Sequence, residues 1–343
     1  MSQPDESPGE ALGGPIDKVE WRKLVLTTLQ VVGWGMVAAL GLVVLARMVA
    51  WDKWRWFADV DAAVEVLFLP AWLVLAAGLI AKKWWLAGAA ALLCFAQVIY
   101  VAPEVLASSP VPAAAYSEAK IHLFDANVQQ DNYNMSGYIA QLRADKPDLV
   151  TLEEIHGFDY RQFLDSGVFK NLPYRFFIDD RGSRGFIVAS KYPLGHVKVS
   201  YVNELAYMIR LNLSFDGRTL PLWVVHTTAP VNPDWNNWNL ELDGVQAALE
   251  KAHPRPLLMV GDFNASWGNR GFRAILSTGL TDAAVARGQP FDFTWTQRLP
   301  VLPPFIRIDH VLTAGNVTVT TIASHEGPGS GHRDLTATVA VGN

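Results

Sequence analysis

From Leu24 to Ala46, about 23 consecutive residues carry no formal charge. A helix over such a run is roughly 30–35 Å long, enough to cross the hydrocarbon core of a bilayer. Two further apolar runs follow. One extends from about Ala62 to Ala81 and includes Glu65 and Pro70; the other extends from Trp84 to about Val101. Trp51, Trp54 and Trp56, then Lys82-Lys83-Trp84-Trp85, mark their edges, where interfacial anchors belong. Soluble cores rarely need runs this long, so the pattern predicts three transmembrane helices in residues 21–104 and an integral protein of the cell membrane. A cleaved signal peptide led by Lys18, Arg22 and Lys23 fits less well, because the run is long and no small-x-small site follows it. Lys82 and Lys83, with the basic residues before Leu24, place the N-terminus inside, although Arg47, Lys53 and Arg55 in the first loop blunt the vote. Three crossings then put everything beyond Val101 outside the cytoplasm.

The mean hydropathy of +0.15 averages this region with an unlike remainder. Residues 1–20 form an N-terminal tail expected to be disordered, rich in Pro, Gly, Ser and acids as far as Pro15. Residues 105–117, with Ser108-Ser109-Pro110-Val111-Pro112, read as a linker. Residues 118–343 are long enough for one well-buried domain. All eight histidines fall in it, while the single cysteine, Cys94, lies in the third apolar run, which permits an oxidising compartment. From Tyr116 onward, 20 lysines and arginines face 23 acids, a net −3 with no basic stripe, which disfavours long nucleic acid as a substrate.

In that domain, Leu257-Leu258-Met259-Val260-Gly261-Asp262-Phe263-Asn264 ends an apolar run in a carboxylate and a carboxamide two residues apart. In an extended strand, positions i and i+2 share a side, which would aim Asp262 and Asn264 together from a strand end. Other apolar runs end the same way: Asn127 after Lys120–Ala126, Glu153-Glu154 after Leu149–Leu152, His226 after Trp223–Val225, and Asp309-His310 after Ile308. Strand candidates at Lys120–Val128, Leu149–Leu152, Tyr174–Ile178, Phe186–Ser190, Met208–Phe215, Leu220–His226, Leu257–Asp262, Ile308–Thr313, Val317–Ile322 and Leu335–Val341 alternate with helix candidates at Met135–Ala144, Trp238–Lys251 and Gly271–Leu276. They predict a four-layer α/β sandwich, two packed mixed sheets flanked by helices, preceded by the three membrane helices. If the strand ends meet at one rim, carboxylates, amides and imidazoles make an oxygen-rich pocket suited to Mg²⁺, with Mn²⁺ as the alternative ion. Nothing there suits a structural zinc site.

Several segments resemble the endonuclease/exonuclease/phosphatase superfamily, which includes proteins like deoxyribonuclease I and the neutral sphingomyelinases, and the resemblance covers Lys120–Val341. Asp125-Ala126-Asn127-Val128 resembles the family's first strand. Pro147–Glu154 is similar to the segment ending in its metal-binding glutamate, with Glu153 where Gln is more usual. Arg184–Pro193, His226-Thr227-Thr228-Ala229-Pro230, Gly261–Asn264, Phe293–Thr296 and Ile308-Asp309-His310 align in order with later motifs. The resemblance implies a metal-dependent phosphoesterase. Asn127 and Glu154 would hold Mg²⁺, Asp262 would orient or deprotonate water, and Asn264 would donate to a phosphate oxygen. His332 would act as base or stabiliser with Asp309 on its other nitrogen, and His226 would contact the phosphate or protonate the leaving oxygen. Trp235 and Trp238 would either staple the next helix or form a substrate lip.

One motif departs from the family. The chain reads Ser330-Gly331-His332 where members carry Ser-Asp-His, so the missing carboxylate would weaken Mg²⁺ binding, change the preferred ion or mark a protein that binds without turnover; catalysis is favoured, because every other expected side chain is present. Two functions compete on these residues. One is a membrane-embedded phosphoesterase acting on a lipid headgroup, a small phosphodiester or nucleic acid, with no obligate protein partner. The other is a non-catalytic binding module that lost turnover through Gly331.

Overall fold

The computed structural model describes residues 18–52, 54–180, 182–230, 235–296 and 302–342. The expected tail up to Pro15, the side chains of Lys18 and Arg22, Lys53 of the first loop, and residues 232–234 lie outside the described residues. The chain divides into two compact units, Met1–Leu45 with Phe68–Ala96 and Ala46–Leu67 with Gln97–Asn343.

The helices that begin the chain are α1 (Lys18–Ala50), α2 (Arg55–Ala62), α3 (Val64–Leu67), α4 (Leu69–Ile80) and α5 (Trp84–Leu106). Lys23–Val49 and Trp84–Leu106 are each long and apolar enough to cross a membrane. The second predicted span corresponds to Val64–Ile80, built from α3 and α4, and a 70° bend at its start separates it from α2. Pro70 sits in the first turn of α4, where its missing N–H costs nothing. In the first unit, Val74, Leu86 and Ala90 pack with Met36, Val37 and Leu75, while Val31, Leu42 and Leu92 stay exposed. Apolar side chains left exposed in this way suit a lipid surround.

The second unit contains β1 (Ala119–Asn127), α6 (Met135–Asp145), β2 (Leu149–Glu153), α7 (Gly157–Asp165), β3 (Tyr174–Ile178) and β4 (Phe186–Ser190). It continues with β5 (Leu194–Val202), β6 (Leu205–Phe215), β7 (Arg218–His226), α8 (Trp235–Ala252), β8 (Leu257–Asp262) and α9 (Arg270–Ser277). It closes with β9 (Thr281–Asp282), α10 (Ala283–Ala286), β10 (Asp309–Ala314), β11 (Val317–Glu326) and β12 (Arg333–Val341). Two six-stranded sheets result, in the orders β11-β12-β1-β2-β4-β3 and β5-β6-β7-β8-β10-β9.

The central strands are apolar on both faces because both faces are covered. In β8, Leu258 and Val260 join Leu123, Val188 and Val224 in the core between the sheets, while Leu257 and Met259 pack outward against Trp238, Leu242 and Phe272. On the other sheet, Phe124, Val150 and Ile187 meet Tyr138, Leu142 and Phe163 of α6 and α7. The order is therefore helices, sheet, sheet, helices, as expected.

Each sheet contains one parallel pair, β1 with β2 and β7 with β8, joined across helices α6 and α8. Their registers align Asn127 with Glu153 and His226 with Asp262, and antiparallel β10 sets Asp309 against Asp262. Parallel strands end on the same side, so topology alone gathers these polar ends.

Gly261 in β8 has φ +122°, and a β-carbon there would lie 2.1 Å from the Val225 carbonyl oxygen of β7. Gly261→Ala is expected to destabilise the second unit by about 3 kcal/mol or more, a figure typical of forced backbone clashes. Thermal unfolding of the detergent-solubilised chain measures this, and an unchanged melting temperature would contradict it.

Candidate active site

Asp262 is fully buried at the end of β8 and is the hub of the rim. Its Oδ1 accepts from the Asn264 backbone N–H at 2.7 Å, and its Oδ2 accepts from the Asn264 and Asn127 side-chain amides, each at 3.0 Å. The expectation that strand alternation would align Asp262 with Asn264 needs correcting. The strand ends at Asp262, and Asn264 adopts φ +45°, a left-handed conformation that Asn tolerates. A turn closed by the aspartate brings the two together, and the Asn264 amide also donates to the Thr227 carbonyl at 2.9 Å.

Asn127 bridges the two sheets, because its amide also donates to Glu154 Oε1 at 3.0 Å. Glu154 itself sits at φ +59°, just past β2, and its Oε2 accepts from the Gln130 N–H at 2.8 Å. His226 Nε2 lies 3.5 Å from Glu154 Oε1 and 3.9 Å from Asp262 Oδ2. Burial alone would raise the Glu154 carboxyl, but His226, the Gln130 N–H and the Asn127 amide hold it down at about 2, so it is anionic.

His332 completes the group. Its Nδ1 faces both Asp309 oxygens at 3.1 Å, and its Nε2 lies 3.8 Å from Asp262 Oδ2. Burial would depress this imidazolium, yet the charges of Asp309 and Asp262 carry it up to about 9. Burial, followed by the charge of Asp309, pushes Asp262 up to about 6. All seven residues expected at the site, Asn127, Glu154, His226, Asp262, Asn264, Asp309 and His332, thus lie within one connected network.

Beneath it lie two carboxyls that the sequence reading did not use. Asp125, which accepts from the Thr151 hydroxyl, is raised to about 8 by burial, and Glu153 is raised well above the ordinary range by burial and by Asp125. A protonated Glu153 is neutral and has the shape of a glutamine.

Other neighbours brace the site in ways that the sequence motifs do not display. The Thr294 hydroxyl accepts from the Ile308 and Asp309 N–H groups at 3.1 and 3.2 Å, which fixes Asp309. Arg184 is buried, donates to the His226 carbonyl at 2.7 Å and pairs with Glu241 of α8 at 3.0 Å. Trp238, fully buried, donates to the Asn264 carbonyl at 3.0 Å, so it braces the rim from below and is no substrate lip. His310 holds Asp282 at 2.8 Å and the Ala265 carbonyl at 3.0 Å, a bracing role beside the site.

Gly331 has a local explanation. A β-carbon there would lie 2.6 Å from the Trp295 ring, whose centroid is 4.6 Å from that of His332, and the Gly331 N–H donates to the Gln129 side chain at 2.8 Å. The indole occupies the space an aspartate would need.

The rim opens into a cavity of about 750 Å³ lined by Gln129, Glu154, His226, Asn264, Trp295 and His332, among others. Glu154 brings an anionic carboxylate to the cavity wall, while the Asn127 amide turns its N–H groups to Glu154 and Asp262 and its oxygen to the Gln129 N–H at 2.9 Å, so Asn127 would have to turn to ligate a cation. Asp262, Asp309 and His332 offer ligand atoms within 4.8 Å of one another, although Asp309 already holds His332 Nδ1. So many acids out of water call for positive charge, which supports a metal at this rim.

A layered sandwich with Asp, Asn, His and an anionic Glu at one strand-end rim defines a metal-dependent hydrolase of phosphoester bonds. Residues 121–332 match the model of the Endonuclease/Exonuclease/phosphatase family, and the chain belongs to that family. Solved structures share the fold at low identity. Zebrafish (D. rerio) TDP2 complexed with single-strand DNA product is 18% identical, with TM-score 0.53, covering 65% of this chain and 100% of that one. The 3′ phosphatase NExo from Neisseria, bound to a product DNA hairpin, is 14% identical with TM-score 0.53, covering 63% and 98%. A Beutenbergia cavernae protein of the same family is 15% identical with TM-score 0.52, covering 65% and 72%. A search of curated protein sequences gave no match.

Two outcomes follow from this geometry. Gly331→Asp is expected to lower activity at least tenfold by displacing Trp295, and Trp295→Ala in the same chain is expected to restore part of it; steady-state rates measure both. Because the His332 pKa is raised by folding, its contribution to stability is complete below pH 6.5 and is lost as pH rises through about 9. In metal-free protein the melting temperature should fall across that window and fall less in His332→Gln; parallel profiles would contradict the assignment.

Proposed function

We propose that the protein is a membrane-anchored, Mg²⁺-dependent phosphodiesterase whose catalytic rim lies outside the cytoplasm. The observation that carries the reading is the side-chain amide of Asn127, which bridges Glu154 and Asp262 at 3.0 Å each and joins the two sheets at one rim beside the His332–Asp309 pair. Glu154 and the Asn127 amide would hold the ion, with Mn²⁺ as the alternative. A bound cation there supplies polarisation of the phosphoryl oxygen and neutralises charge on the leaving oxygen.

The chain's own residues do the rest. Asp262, with Oδ1 fixed by the Asn264 N–H, presents a carboxylate that orients or deprotonates the attacking water. The Asn264 amide turns to a phosphate oxygen. Asp309 fixes the proton of His332 on Nδ1, so Nε2 is the nitrogen that meets substrate, as base or as donor to an oxygen of the pentacoordinate phosphorus. His226, with Nε2 3.5 Å from Glu154, would contact the phosphate or protonate the departing oxygen. The candidate spans, together with the net −3 of the domain, favour a lipid headgroup or small phosphodiester over long nucleic acid. Relatives bound to DNA products support phosphoester chemistry without deciding between these.

The test is the full chain in detergent with an aryl phosphodiester and Mg²⁺ or Mn²⁺, beside a headgroup-release screen and a nuclease assay. Asp262→Ala and His332→Ala are expected to lower kcat by about 10²–10⁴, the usual worth of a lost acid–base or oxyanion group. Wild-type protein without metal-dependent turnover would favour the non-catalytic module instead. Reporter fusions after Val101 read the topology, and cytoplasmic signal would overturn the outside placement.

A further inference from the structure

The family match begins at Ile121, yet the cavity is also walled by Asp59 and Ala62, residues of α2 that precede it by about 60 positions. The segment carrying them, Ala46–Leu67, belongs to the same compact unit as the catalytic rim. It grips the loop that follows Asn264. The Ser266 hydroxyl donates to the Ala62 carbonyl at 2.8 Å, and the Asn269 amide donates to the Ala58 carbonyl at 3.0 Å. Trp51 Nε1 donates to the Gly268 carbonyl at 3.0 Å, and Asp52, buried at φ +57°, accepts from the Arg270 N–H and from Asn269. Gly268 is packed so closely that a β-carbon would lie 1.7 Å from the Asp61 carbonyl oxygen.

A second chain of contacts reaches the other side of the rim. Glu104 near the end of α5 pairs with Arg307 at 2.7 Å, Arg307 with Asp282 at 2.9 Å, and Asp282 with His310 next to Asp309. These are buried polar links whose energetic stakes are high, because each lost partner strands another.

We infer that Ala46–Leu67 is a working part of the active site, walling the cleft with Asp59 and Ala62 and positioning the Asp262–Asn264 edge through the Ser266–Arg270 loop. The inference rests on the phosphodiesterase reading for its kinetic test but not for its structural one. Asp59 is a specificity-determining residue, because an exposed acid on the wall raises the cost of bringing an anionic substrate in. The loop contacts are positioning contacts, because they act on Asp262 and Asn264 through the backbone that follows them.

Two variants separate the wall from the positioning, both in the full solubilised chain with Mg²⁺ and an aryl phosphodiester. Asp59→Asn should lower KM about two- to fivefold at low salt with kcat unchanged, an effect that shrinks at high salt as the charge is screened. Gly268→Ala drives a methyl group into Asp61 and should lower kcat at least tenfold with KM within twofold, assayed well below its melting temperature. Should that variant fail to fold, Trp51→Phe, which keeps a ring and loses one hydrogen bond, should lower kcat about threefold. Amide hydrogen exchange at Phe263–Asn269 supplies a readout independent of turnover: faster exchange in Gly268→Ala or Trp51→Phe is expected. An active wild type with unchanged KM in Asp59→Asn would overturn the wall, and unchanged kcat in Gly268→Ala would overturn the positioning. An inactive wild type would count against the phosphodiesterase reading, and unchanged exchange would then still overturn the role of the segment.

Discussion

Carboxylates repel, and this molecule brings Asp125, Glu153, Asp262 and Asp309 together out of water, with Glu154 half-buried beside them. Everything at the rim serves to make that arrangement tolerable. Donors hold Glu154 anionic, protons neutralise Asp125 and Glu153, and His332 is pulled toward its charged form between Asp309 and Asp262. The distribution is uneven, and the unevenness is chemically useful. Asp125 and Glu153 are pushed toward their neutral forms, while Glu154 at the cavity wall keeps its charge where a cation can be reached from solvent.

The fold was legible because its central strands are buried on both faces and end abruptly. Leu257–Asp262 and Phe186–Ser190 read as continuous apolar runs, and both appear at the expected bounds. β5, Leu194–Val202, was missed because it is an edge strand with much of its surface exposed, so its sequence carries little apolar alternation. α7, Gly157–Asp165, was missed because it is short and its N-terminus is capped by His156, an uncommon cap. The second apolar run reads as one helix because hydropathy does not register a bend, and the 70° bend lies at its very start, between Ala62 and Val64.

At the site, the residues with chemistry were legible and those that hold them were not. Asp262 and His332 stand out by type and setting; Thr294, Arg184 and Trp238 act through backbone carbonyls and N–H groups that no motif displays. Gly331 shows the limit most clearly. Its sequence context suggests a lost carboxylate, whereas the space around it is filled by Trp295, more than 30 residues away in the chain. Two neighbours had to be known before one glycine could be understood.

The same long reach bears on how the rim comes into being. The Ser330 hydroxyl donates to the Asn127 carbonyl across 203 residues, and the Asn127 amide meets Asp262 across 135. Contacts so distant in sequence form late and slowly, because a large loop must close before they return anything. During synthesis the apolar helices emerge long before β12 does. The chain therefore has a built-in delay: no complete hydrolytic centre exists until β12 has slotted between β11 and β1, by which time the long apolar helices have already been made.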